Sequence, residues 1–318
     1  MKHILAILSL CLCAAAAHAG ESYAGRADVA TFISEMQAKH DFDPAALAAL
    51  FAATHAEPAV IQAILPPQDP SVRSWHSYRS RFVEARRIAA GQRFRQQHQQ
   101  ALARAEAHYG VPADIILGII GVETLYGRNT GRFETFAALT TLAFDYPPRA
   151  SLFRAELEAL LLLARDEKRD PRAYKSSFAG ALGLPQFLPS SLARWGTDFD
   201  RDGRVDLMNP ADAIGSVANF LKEHGWEKDA PVAHPATANG APAVWNGAPP
   251  QLPATELPGV AAADAPALPA VVVELVTPNA PTEYRLGYNN FYVLTRYNRS
   301  SFYAMAVFDL AQALKAAR

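Results

Sequence analysis

The chain reads as mainly α, with a small irregular/β insertion towards its C-terminal end. Three observations predict this. Apolar residues recur at three- and four-residue spacing through most windows up to Gly225; start and stop signals punctuate those windows; and from about Glu227 to Pro281 the composition shifts to Pro, Ala, Gly and Asn.

Taken in order, the first nineteen residues carry Lys2-His3, an apolar stretch Ile4 to Ala17, and Ala17-His18-Ala19 before Gly20. This is the pattern of a cleaved secretory signal peptide, too short to favour a spanning helix. Neither Cys11 nor Cys13 follows a small residue, so no lipoprotein cleavage site is expected, and both cysteines lie in the removed segment. The expected product is an exported protein with no thiol, no disulfide and no transmembrane anchor.

Val29, Phe32, Ile33 and Met36 mark one amphipathic helix. Asp43-Pro44 is a cap followed by proline at the first helical position, opening a helix from Ala45 to Ala53. A long pattern runs from Trp75 to His108 with a break expected near Gly91, then Pro112 to Leu125, then Leu152 to Arg165. Asn209-Pro210 opens a helix through Ile214, Val217 and Leu221, closed by Gly225. Inside the Pro/Ala-rich block, Val271 to Val276 has strand character, while a disordered linker is the alternative for the block as a whole. Phe291 to Leu294 and Phe302 to Leu314 are apolar enough to return to the main core. The organisation expected is a signal peptide at 1–19, a helical N-terminal and catalytic region at 20–226, an insertion at 227–287 and a returning segment at 288–318.

With 318 residues, half of them apolar, the chain has material for a large core. A formal net charge of −1 and a pI near 6.8 argue against nucleic acid as a partner. Arg73, Arg79, Arg81, Arg86, Arg87, Arg93 and Arg95 are dense, but they alternate with apolar residues and read as a solvated helix face. There is no nucleotide-binding glycine loop, no zinc pattern and no nucleophile elbow.

The run Gly121-Val122-Glu123-Thr124-Leu125-Tyr126-Gly127 places one carboxylate at the end of a strongly apolar helix, before a glycine-ended turn. Ile116, Ile119 and Glu123 share a face, so the carboxylate points with the core. Burial without a cationic partner raises a carboxyl pKa, which is what a general acid near neutral pH needs. The plain alternative is a helix that ends in solvent.

Three separated strings, GVETLYGRNTGRF (121–133), SFAGALGLPQFLPSS (177–191) and NNFYVLTRYNRSSFYAMAV (289–307), together resemble the lytic murein transglycosylase B family. The resemblance extends from the Trp75 region to the C-terminus and implies a lysozyme-like helical catalytic domain. It further implies cleavage of the MurNAc-β-1,4-GlcNAc bond of peptidoglycan without water, leaving a 1,6-anhydro sugar, with Glu123 as acid and then base. By position in the strings it implies that Ser177 orients the N-acetyl group, that Gln186 lines the cleft, and that Tyr297, Asn298, Tyr303 and Tyr78 surround the scissile sugar. Pro147-Pro148-Arg149 stands where the family often has paired arginines, leaving Arg149 as the contact to substrate carboxylate. The implied partner is the peptidoglycan glycan strand, the implied compartment the periplasm, and the implied state a monomer with no cofactor for its chemistry.

The chemistry is consistent with the residues themselves. Glycosidases that use water need two carboxylates at defined separation, and only one sits in a strong motif here. Glu134 and Asp145 are the candidate second carboxylates, each in a setting where capping or solvation is the more economical role. Two other readings stay open: a hydrolytic muramidase using one of those residues, and a non-catalytic wall-binding or calcium-binding module.

Finally, Asp198, Asp200, Asp202, Gly203 and Asp206 fall at positions one, three, five, six and nine of an EF-hand-type loop. The Arg204 carbonyl would be the next ligand. Position twelve is Asn209 rather than the usual Glu, which makes Asp212 the natural further ligand. The expected role is structural, a Ca2+ clamp on the following helix, with a solvated acidic turn as the alternative.

Overall fold

In the computed structural model, residues 22–65 and 73–318 are described; residues 1–19, read from the sequence as a signal peptide, and their cysteines lie outside the described residues. The chain divides into two compact units, up to Pro58 and from Ala59 onward.

The first unit contains helices α1 (Ala27–His40) and α2 (Pro44–Ala52). The Asp43 side chain accepts from the Ala45 N–H and Pro44 occupies the first turn, so the cap-proline signal opens α2 one residue earlier than expected. The face Val29, Phe32, Ile33 and Met36 is buried, and the Phe32 ring meets Phe51 edge-on at 6.0 Å. Helix α3 (Pro58–Ile64) begins where the units join.

In the second unit, the region read as one long helix with a break at Gly91 is three helices: α4 (Trp75–Phe82), α5 (Ala85–Gln97) and α6 (Gln99–Tyr109). The breaks fall at Val83-Glu84, where Glu84 caps α5, and at His98. Gly91 lies inside α5 for a packing reason: a Cβ there would collide with Tyr126 Oη and Leu314 Cδ2. Nor is the arginine-rich stretch a simple solvated face. Arg79 pairs with Asp309 at 2.5 Å, Arg95 with Asp114 at 2.5 Å, and Arg87 is half-buried against backbone carbonyls.

Helix α7 (Ala113–Thr124) is the central element, with nearly every residue buried. It is followed by β1 (Phe133–Glu134), α8 (Thr135–Asp145), α9 (Ala150–Asp166), β2 (Lys175–Ser176), α10 (Pro189–Trp195) and α11 (Pro210–Glu223). The chain then forms β3 (Ala233–Ala238), β4 (Leu252–Pro253), β5 (Val260–Ala261), β6 (Pro269–Leu275) and β7 (Glu283–Gly287), and closes with α12 (Asn289–Tyr297) and α13 (Ser301–Ala316). Helix α13 packs on α7 so closely that a Cβ on Gly118 would meet the Val307 carbonyl, so the last helix of the chain does return to the core.

The Pro/Ala-rich block is a five-stranded antiparallel sheet in the order β4-β6-β7-β3-β5, not a linker. Val272 pairs with Leu286 and Val273 with Arg285, and Val272, Val273 and Leu275 are buried. Hydrogen bonds tie it back to the helices. The Trp75 N–H donates to Val276 O at 2.8 Å, Asn290 bonds both Glu227 and Ala230, and Arg285 pairs with Asp309 at 2.5 Å.

Candidate active site

Glu123 lies in the last turn of α7, where the chain leaves the helix through three consecutive left-handed residues, Leu125 (φ 52°), Tyr126 (φ 58°) and Gly127 (φ 85°). Thr124 holds this turn. Its hydroxyl donates to Leu184 O at 2.9 Å and accepts the Gly127 N–H at 3.0 Å. The segment that follows presses on the strand carrying Ser176. Gly131 (φ 100°) sits against the Ser176–Ser177 peptide so tightly that any Cβ would overlap it. Antiparallel pairing of β1 with β2 sets the register there.

The Tyr303 hydroxyl donates to Glu123 Oε1 at 2.5 Å. Glu123 keeps part of its surface open, while the protein around its carboxyl group raises the pKa from 4.5 to about 7, the Tyr303 hydrogen bond opposing that rise. Among the described residues no other carboxylate contributes to the shift. Burial and the Glu123 charge hold the Tyr303, Tyr297 and Tyr78 hydroxyls above their usual pKa, so all three are within electrostatic reach of Glu123. The Tyr297 ring stacks on Tyr303 at 6.4 Å and its hydroxyl donates to Pro185 O at 2.6 Å. Tyr78 lies against Phe82 and Phe302, at 5.1 and 5.7 Å.

Of the remaining site residues read from the sequence, Gln186 (φ 53°) donates from Nε2 to Thr130 O and Gly183 O, which fixes it beside the Glu123 turn. Ser177 Oγ accepts the Ala181 N–H at 3.2 Å at the head of the same hairpin. Asn298 is exposed, and its carbonyl accepts the Ser300 N–H at 2.7 Å just before α13. Arg149 is exposed in a 3-10 turn with its guanidinium on the Phe153 ring at 5.2 Å, and among the described residues no direct contact joins it to the Glu123 group. Glu134 ends β1 and acts electrostatically on Arg172, and Asp145 ends α8.

Two members of this neighbourhood were not legible in the sequence. Arg87 donates to Gly121 O at the end of α7 and to Arg81 O at the end of α4, bracing the elements that carry Glu123 and Tyr78. Tyr126 packs its ring on Phe94 at 5.5 Å and buries a hydroxyl that has no hydrogen-bond partner among the described residues. Thr124 had a visible signal, a polar residue inside an apolar run.

The acidic loop is organised around Asp212, which is fully buried. Asp212 Oδ1 accepts the N–H groups of Phe199 (2.8 Å) and Asp200 (3.3 Å), and Oδ2 accepts that of Asp206 (2.8 Å). Burial raises its pKa against these bonds. Asp198, Asp200 and Asp212 each bring an oxygen within 4.8 Å of the others. An oxygen-only set at that spacing fits a hard divalent cation. The Asp202 and Asp206 carboxylates instead lie 3.5 and 3.6 Å from the exposed Arg204 guanidinium. Asn209, at position twelve, uses its carbonyl to cap α11 and its amide to bond Asp200 at 2.5 Å.

A family model described as the transglycosylase SLT domain matches residues 24–312. The chain belongs to this transglycosylase family. It is 41% identical over 314 residues to the membrane-bound lytic murein transglycosylase B of Escherichia coli strain K12, covering 94% of this chain and 86% of that one. Among solved structures it resembles the soluble lytic transglycosylase SltB1 of Pseudomonas aeruginosa (TM-score 0.85, 44% identity, 92% of this chain and 99% of that one). It also resembles the Escherichia coli lytic transglycosylase Slt35 in complex with calcium (TM-score 0.85, 39% identity, 94% and 96%). As a transglycosylase of this family, the chain has the mainly helical, lysozyme-like architecture with small sheets that its sequence predicted. No helix among the described residues is long and apolar enough to cross a membrane.

Proposed function

We propose that this protein is a lytic murein transglycosylase that cleaves the MurNAc-β-1,4-GlcNAc bond of peptidoglycan without water, with Glu123 as the one acid-base group. The observation that carries this reading is the Glu123 carboxyl group, held by Tyr303, with a pKa near 7 and no carboxylate partner among the described residues. A single carboxyl poised near neutrality is half protonated there and suits both proton transfers.

In the first step, protonated Glu123 gives its proton to the glycosidic oxygen as the bond from that oxygen to the muramoyl anomeric carbon breaks. The positive charge on the sugar is met by the substrate's own N-acetyl carbonyl, a recognised alternative to a second carboxylate. In the second, the muramoyl 6-hydroxyl attacks the anomeric carbon and returns a proton to Glu123. Atoms balance with no water consumed, so the product is lighter by one water than a hydrolytic one. Ser177 orients the N-acetyl group; Gln186, Tyr297, Asn298, Tyr303 and Tyr78 bind the sugars by hydroxyl and amide contacts and aromatic faces. Arg149 receives a carboxylate of the substrate.

The 198–212 loop binds Ca2+ as a structural clamp on α11, with Asp198, Asp200, Asp202, Asp206, the Arg204 carbonyl and Asp212 as the ligand set. No step of the chemistry runs through it. The protein acts in the periplasm as a monomer after loss of residues 1–19, with 20–226 and 288–318 forming the catalytic region around the 227–287 insertion. Mass spectrometry of muropeptides released from purified sacculi tests the central claim. Anhydro ends support it, and ordinary reducing ends alone would overturn it in favour of a muramidase.

A further inference from the structure

A cavity of about 670 Å³, which Tyr78, Tyr297 and Tyr303 do not line, lies between the end of α9, the approach to β2, the acidic loop and the hairpin that carries Gln186. Its apolar floor includes Leu182, Leu192 and Leu207, all buried, together with Tyr174. Four exposed cations line it: Lys168, Arg169, Lys175 and Arg204. The two acids on its wall are already engaged, Glu167 accepting the Tyr174 hydroxyl at 2.5 Å and Asp206 accepting the Met208 N–H at 2.9 Å beside Arg204. Neither Lys168 nor Lys175 has a carboxylate partner among the described residues.

One wall of the cavity is formed by the segment after the Glu123 turn and by the hairpin that carries Gln186. Thr130 and Gly183 line it, and their carbonyls are the two acceptors of the Gln186 amide. The same hairpin bonds Thr124 through Leu184 O and Tyr297 through Pro185 O. From Arg149 it is separated by the whole of α9, seventeen residues or about 25 Å of helix.

Resting on the proposed reading of the active site, we propose that this cavity is a second binding site, for an acidic peptide with free carboxylates. In murein that peptide is the stem carried by the muramoyl residues. The apolar floor accommodates its small side chains, and the unpaired lysines meet its carboxylates by charge-assisted hydrogen bonds. Because Arg149 and the cavity stand at opposite ends of α9, the two sites engage different stems of the same or neighbouring strands. Substrate with its stems intact is therefore favoured over bare glycan.

The test uses the full mature chain and the double variant Lys168→Glu/Lys175→Glu. Free L-alanyl-D-glutamyl-diaminopimelate is titrated calorimetrically, and release of anhydro products is followed on intact sacculi and on sacculi stripped of stems by an amidase. The proposal expects tripeptide binding by the wild type that the variant loses. It also expects a KM on intact sacculi raised about tenfold, the size of one strong charge-assisted contact, with kcat and turnover of stripped strands unchanged. Equal effects on both substrates, or no tripeptide binding by the wild type, would overturn it. Should the reversal variant misfold, Lys168→Gln/Lys175→Gln carries the same comparison. A wild type that binds the tripeptide but releases no anhydro ends contradicts the proposed reaction and leaves the peptide site standing.

Discussion

The Tyr303 hydroxyl donates a 2.5 Å hydrogen bond to Glu123 Oε1, across a sequence separation of 180 residues. The two forces on this carboxyl group oppose each other: burial favours the neutral acid, and the phenol favours the anion. Burial wins, so the acid stays available near pH 7, while Tyr303 moderates the shift and orients the group.

Replacing Glu123 by Gln keeps shape and removes the transferable proton. Release of anhydromuropeptides should fall by at least about 10³-fold, since one residue serves both proton transfers. A variant that retained a tenth of wild-type turnover in a mass-resolved sacculus digest would contradict the assignment.

The Tyr303→Phe variant should move the pH profile upward. Removing a donor to the anion leaves desolvation unopposed, so the Glu123 pKa rises above its value of about 7 and the basic limb of kcat/KM shifts to higher pH. Turnover at the optimum should drop roughly tenfold through lost orientation. An unshifted basic limb would show that the bond does not govern the titration.

The same group has a stability signature whose sign differs from the usual carboxylate. The folded pKa of about 7 lies above the unfolded value of 4.5, so the folded state binds the proton more tightly. Stability is unaffected by this group below pH 4.5, is lost as pH rises from 4.5 to 7, and is then level, with a total loss of about 3 kcal/mol. Glu123→Gln should therefore unfold at a higher temperature than the wild type at pH 8 and at nearly the same temperature at pH 4. Calorimetric scans at both values check this, and an equal difference at both would count against it.

Calcium should raise the melting temperature while leaving turnover of the folded enzyme little changed. Asp212→Ala removes the acceptor of three backbone N–H groups and should cost at least about 3 kcal/mol even without metal. It should also abolish the calcium-dependent rise. Chelation that stopped turnover with the melting curve intact would contradict the structural role.

Gly91→Ala offers a test of packing at the back of the site. Helix propensity alone favours Ala by up to about 1 kcal/mol, yet the added methyl collides with Tyr126 Oη and Leu314. Net destabilisation of about 1–3 kcal/mol is expected, read as a lower urea midpoint at constant slope. A stabilised variant would mean that Tyr126 is free to move.

Much of this was readable in advance because the signals are short-range. The cap and proline at Asp43-Pro44 and Asn209-Pro210 start helices where they stand, since capping involves only the first turn. The strand at Val271 to Val276 was visible from β-branched residues alone, whereas the order β4-β6-β7-β3-β5 was not, because register depends on partners far away in the chain. Gly91 misled for a related reason. A glycine inside a helical pattern signals a break when judged by propensity, and the close approach of Tyr126 that requires it there is a tertiary fact. The arginines between Arg73 and Arg95 likewise looked solvated until Asp309, Asp114 and the Gly121 carbonyl were seen beside them.

From the sequence by itself came the helical class, the lone carboxylate at the end of an apolar helix, and the acidic loop with its glycine turn, because periodicity, capping and ligand spacing are written within a few residues. The tertiary structure decided which tyrosine holds Glu123, how far its pKa rises, that Asp212 gathers the loop through backbone N–H groups, and that the Arg149 guanidinium lies on the Phe153 ring. Those depend on desolvation and on contacts between residues distant in the chain, and both arise only once α7 and α13 are packed together.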